Sequence, residues 1–138
     1  MTSGDNDARA QLAARCNAIE EAYEFMLAYA SQGLPTEQGS ASGSQIREFL
    51  GRCDRALTGL ADLLTDFVRT TRGEHAAPYL SFIRVLDRDA GDAQAAIQMV
   101  LAQPSIGSQM VDNLNASMHL RAHLTDLFLI DEILRPPA

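Results

Sequence analysis

Residues 44–72 read SQIREFLGRCDRALTGLADLLTDFVRTTR, and this stretch decides the fold. Ile46, Leu50, Cys53, Leu57, Leu60, Leu64, Phe67 and Thr71 recur at alternating steps of four and three. That is the spacing of the a and d positions of a heptad, and on a helix it lines one edge. Such a helix is stabilised chiefly by laying its apolar edge lengthwise against other helices. The remainder of the chain reads as what covers that edge.

Toward the N-terminus, Leu12, Cys16, Ile19, Tyr23, Met26 and Ala30 follow the same rule over 6–32. Residues 1–5 read as a frayed tail. The acidic Asp5-Asn6-Asp7 suits the positive start of the helix dipole, and Gly33-Leu34-Pro35 is a stop signal. Segment 33–43, GLPTEQGSASG, is rich in Gly and Ser and is expected to be a mobile surface connection. Ser42 followed by Gln45 resembles a capping box for the helix over 44–72.

Beyond the turn at Gly73, Pro78 suits the first turn of a third helix over 77–103, whose edge is Tyr79, Ile83, Leu86, Ala90, Ala93, Ile97 and Val100. The phase of that edge runs straight through Gly91, so one helix is expected, with Gly91 the place for a bend. Ser105 is placed to cap a fourth helix over 105–134, ended by Pro136-Pro137. Its stripe is less regular. Ile106, Met110, Leu114 and Met118 form one line, and Leu120, Leu124, Leu127 and Leu134 form another, rotated about the axis. The expectation is all-α: one domain over 1–138 built as an up-down-up-down antiparallel four-helix bundle, about 40 Å long.

An apolar fraction of 46% with 21% charged residues over 138 positions is that of one globular domain with a real core. The formal charge is −7 and all eleven basic residues are Arg, a bias that a GC-rich genome explains. This balance argues against nucleic acid, which needs a basic face to neutralise phosphates, and against an anionic membrane surface. No apolar run has the length of a membrane span, and Met1-Thr2-Ser3-Gly4-Asp5 has neither a basic nor a hydrophobic leader region. A cytoplasmic location is expected. Cys16 and Cys53 fall on apolar edges and read as small buried thiols, too few for a disulfide framework.

Catalytic and cofactor signatures are sparse. Glu-x-x-His, the helical di-iron signature, does not occur, nor does Gly-x-Ser-x-Gly or a Gly-rich phosphate loop. Glu20, Glu21 and Glu24 read as a solvated edge. The pair with ligand spacing is His119 and His123, four residues apart, with Asp126 three further on. Such a trio suits a divalent metal. Counting 100° per residue from Ile106, Met110 and Leu124 turns these side chains toward solvent, so a metal- or small-ligand site here is the alternative reading. No cofactor and no enzymatic activity are expected.

The positive feature is the end of the fourth helix. Leu124, Leu127, Phe128, Leu129, Ile130, Ile133 and Leu134 make it apolar nearly all round. An element apolar on all sides must be covered on all sides, and one bundle edge covers about half. The expected role is an acidic helical interaction module (an adaptor, chaperone-like protein or regulator). It binds itself, as a homodimer, or another protein through these residues.

Overall fold

Ile46, Leu50, Cys53, Leu57, Leu60, Leu64 and Phe67 all lie in the core of the computed structural model, which describes residues 3–117 and 119–135. The described residues form six α-helices and no strand: α1 Ser3–Ser31, α2 Ile46–Leu57, α3 Leu60–Arg72, α4 Ala77–Leu101, α5 Ser108–Ala116 and α6 His119–Leu134. A 3-10 turn, Gly73–His75, joins α3 to α4. α1 packs on α2, α3, α5 and α6, and α4 packs on the same four helices, so α1 and α4 face each other across a shared core.

The edges expected from spacing are the buried ones. On α4, Ile83, Leu86, Ala90, Ala93, Ile97 and Val100 are all buried, and the helix runs uninterrupted through Gly91. On α1 the buried line is Leu12, Cys16, Ile19, Ala22, Met26 and Tyr29, while Tyr23 and Ala30 are only half-buried. The buried steps from Leu12 to Tyr29 run 4, 3, 3, 4 and 3, so a second step of three after Ile19 carries the line through Ala22 and Tyr29. α1 is already helical at Ser3, so residues 3–5 are not frayed.

The helix expected over 44–72 is broken. Gly59 adopts a left-handed conformation (φ 75°) between α2 and α3, and the Thr58 N–H closes the end of α2 on the carbonyls of Asp54 and Arg55. This is the ending that glycine favours. The Arg15 guanidinium donates to the freed carbonyls of Ala56 (3.1 Å) and Thr58. Leu57 and Leu60 are both buried on either side. The apolar edge keeps its phase across the break, which is why spacing alone does not reveal it.

The fourth expected helix is divided as well. Residues 104–107 are non-helical, α5 starts at Ser108 after Gly107, and Ser105 is not its cap. Neither does Ser42 cap α2, which begins after Gln45 without a side-chain cap. Met118 lies outside the described residues. α5 lies mainly on α1 and α6 mainly on α4.

The 33–43 segment is not a loose connection. Glu37 pairs with Arg47 at 2.7 Å and accepts the Ile106 N–H at 3.1 Å. Arg47 in turn donates to the carbonyls of Leu101 (2.9 Å) and Gln103 (2.7 Å). The Leu34 carbonyl accepts the Ser108 N–H at 2.7 Å, and the Leu34 N–H donates back to Ser108 Oγ at 2.9 Å. Underneath, Ser108 Oγ donates to the Tyr29 carbonyl and the buried Tyr29 hydroxyl donates to the Ile106 carbonyl, both at 2.6 Å. Burial, with the nearby Glu37 charge, raises the Tyr29 pKa. These bonds satisfy backbone groups that a helix-free turn leaves open, and they tie the segment to the α4–α5 turn.

Candidate functional site

α6 presents two faces. Leu124, Leu127, Ile130 and Leu134 point into the core, none more than 4% exposed. Phe128, Leu129 and Ile133 remain 49%, 52% and 50% exposed. The seven-residue surface expected from sequence therefore splits: four residues belong to the core and three to the outside. The split follows from helical phase, since an element that meets α4 and α1 along one side leaves the other uncovered.

The exposed residues border a groove shared with α4. Leu129, Ile130 and Ile133 face Pro78, Tyr79 and Phe82 across an open apolar channel of about 350 Å³. The α4 wall was not legible beforehand. Phe82 lies beside the edge residue Ile83, and an aromatic just off an apolar edge is the one sequence signal that points to it. The outer surface of α6 continues through Arg121, Ala122, Thr125 and Glu132, all exposed.

The His119–His123–Asp126 trio does not converge. His119 is exposed, whereas His123 is fully enclosed (0%), with no hydrogen-bond partner at either ring nitrogen. The solvent-facing expectation for His123 fails because Ile106 and Met110 precede the start of α6, so their phase does not carry into it. Measured from α6 itself, His123 lies between the buried Leu120 and Leu127. Among the described residues no group of three or more His, Cys, Asp or Glu side chains is placed to hold a metal ion.

His123 belongs instead to a polar inclusion between α4 and α6. The Asp126 carboxyl lies beside the Asp89 carboxyl of α4, and its Oδ2 is buried without a hydrogen-bond partner. Burial first, then the neighbouring Asp89 carboxyl, push the Asp126 pKa up to about 7. Burial holds the His123 pKa down to about 4, partly offset by Asp89. The imidazole is therefore neutral at pH 7.

The other residues singled out by sequence lie apart. Glu21 is 3.9 Å from Arg52, and Glu20 and Glu24 line a surface recess with Tyr23, Arg121, Leu124, Thr125 and Phe128. Cys16 and Cys53 are buried and free, each with its thiol pKa pushed up to about 12 by burial and nearby carboxylates. No described helix is long and apolar enough to cross a membrane. The chain matches no family model, and neither a curated protein nor a solved structure is detectably similar to it.

Proposed function

We propose that this protein is a non-enzymatic helical interaction module, a four-helix bundle with two of its posts broken, that binds protein through the outer face of α6. The observation that carries this reading is the cluster of Phe128, Leu129 and Ile133, each about half exposed beside an apolar groove. Three large apolar side chains grouped on one helix beside such a groove are the pattern of a surface made to be covered. A groove between two helices with an open top suits a third helix laid along it. A second copy of the chain, forming a homodimer, is the first occupant considered, and another protein the second.

Leu129→Asp with Ile133→Asp tests the reading. Both positions are about half exposed, so the charges cost the monomer little. Ile130, at 2% exposure, is left intact because an aspartate there would disrupt the core. Native mass spectrometry of untagged wild type should give a multiple of the 15.0 kDa chain, or the chain with a bound protein, and the folded variant should give the bare chain. Identical spectra for the two would overturn the reading.

A further inference from the structure

The outer face of α6 is patterned along its length, and the pattern selects an occupant. Arg121 and Glu132 are eleven residues apart, close to three turns, and therefore lie on one stripe with Phe128 between them. Both charges sit against the dipole of their own helix: Arg121 is in the first turn, which carries no acid, and Glu132 is in the last, which carries no base. A helix stabilises its ends with the opposite arrangement. Arg121 forms no ion pair among the described residues. Among the described residues Glu132 pairs only with Arg135, at 3.5 Å, with both side chains well exposed. Arg121 shares surface recesses with Glu20 and Glu24 of α1 and with Asp112 of α5 but forms no ion pair with them, and exposed charges at such separations contribute little to the monomer.

Size follows the same gradient. Among the exposed side chains of α6 that are neither charged nor histidine, those of the first half are small, Ala122 and Thr125, and those of the second half are large, Phe128, Leu129 and Ile133. Laid parallel, two such helices would set large against large and Arg121 against Arg121. Laid antiparallel about a two-fold axis between residues 126 and 128, they set Ala122 and Thr125 of each chain against Phe128, Leu129 and Ile133 of the other. Arg121 then meets Glu132 at both ends. An isologous contact repeats each pair twice, so every match or mismatch counts double.

We infer that the occupant of this surface is a second copy of the chain, docked with its α6 antiparallel so that Arg121 of each protomer faces Glu132 of the other. The inference rests on the interaction reading above and adds to it the identity and direction of the partner.

Charge reversal tests it. Arg121→Glu sets two acids together at each end, Glu132→Arg sets two bases together, and the double variant restores opposite charges in reversed order. Both positions are exposed, so the fold is expected to persist, with circular dichroism as the check. Dimer dissociation constants would be read by sedimentation equilibrium. Each single reversal is expected to weaken the dimer by about tenfold, two contacts per dimer each changing from attraction to repulsion. The double variant is expected to return to within about threefold of wild type. A wild type that dimerises while the double variant is no better than the worse single variant would overturn the antiparallel docking and leave the interaction surface standing. A wild type monomeric at every concentration would overturn this inference, and with it self-association through α6.

Discussion

Asp89 on α4 and Asp126 on α6 bring two carboxyls together across the seam of the two helices, close to a buried, unpartnered imidazole, His123. Neither carboxyl takes part in an ion pair among the described residues. The seam beneath the proposed binding face thus holds two neighbouring carboxyls rather than a salt bridge.

That arrangement gives two opposed pH dependences. Asp126 has a folded pKa raised from 3.8 to about 7, so its contribution is fully present below pH 3.8 and is lost as pH rises toward 7. His123 has a folded pKa lowered from 6.5 to about 4, so its contribution is present above pH 6.5 and is lost as pH falls toward 4. Between about pH 4 and 6.5 the two slopes cancel, and wild-type stability should owe little pH dependence to this pair. Asp126→Asn should expose the histidine, with stability falling by about 3 kcal/mol from pH 6.5 to 4. His123→Leu should expose the carboxyl, with stability falling from pH 4 to 7. Urea unfolding across that range checks both, and two variants with parallel profiles would contradict the assignment.

The Glu37–Arg47 pair should act as a clasp. Arg47 bonds Glu37 and two carbonyls of the α4–α5 turn, and hydrogen bonds to charged groups contribute about 1.5–3 kcal/mol. Arg47→Met is expected to cost about 2–3 kcal/mol in urea unfolding and to speed amide exchange over 33–45. The hydrogen bond from Arg47 holds the Glu37 pKa below the ordinary carboxylate range. Its contribution therefore persists through mild acid and is lost only as pH falls through that lowered value. Unchanged exchange in the segment would mean that it is held by other bonds.

Two glycines should respond in opposite directions to alanine. A Cβ on Gly43 would overlap the Glu37 carbonyl, so Gly43→Ala should destabilise by about 2 kcal/mol or more. A Cβ on Gly91 meets nothing within 4 Å inside the regular helix α4. Gly91→Ala should stabilise by up to about 1 kcal/mol. Thermal unfolding midpoints moving the same way in both would contradict the packing described.

The cysteines should be silent in the native state. With both thiol pKa values near 12 and both side chains enclosed, the thiolate needed for attack is scarce at neutral pH. A disulfide reagent should label two thiols promptly in denaturant and neither in buffer over the same interval. Prompt labelling of native protein would show a seam that opens.

Much of this architecture was legible because burial repeats. Leu50, Cys53, Leu64, Leu86, Ile97 and Leu127 stand where heptad counting puts them, since a long helix can hide only one edge per neighbour. The breaks were not legible by that means, because Thr58-Gly59 interrupts α2 and α3 without shifting the apolar phase. His123 was misplaced for the complementary reason: phase counted from Ile106 and Met110 does not carry into α6. The 33–43 segment read as mobile from its Gly and Ser, yet Glu37 and the close approach at Gly43 bind it down. On the proposed binding face, sequence singled out Phe128, Leu129 and Ile133, which are exposed, but could not separate them from the buried Ile130. That distinction depends on how α6 is rotated against α4.

Sedimentation velocity of the untagged wild-type protein from about 1 to 100 µM, a range set by ordinary protein affinities, tests the central claim most directly. The account predicts a boundary that moves from the 15.0 kDa chain toward twice that mass as concentration rises, with Leu129→Asp/Ile133→Asp fixed at the single chain throughout. A wild type that sediments as one chain at every concentration, or a variant that assembles equally well, would contradict it.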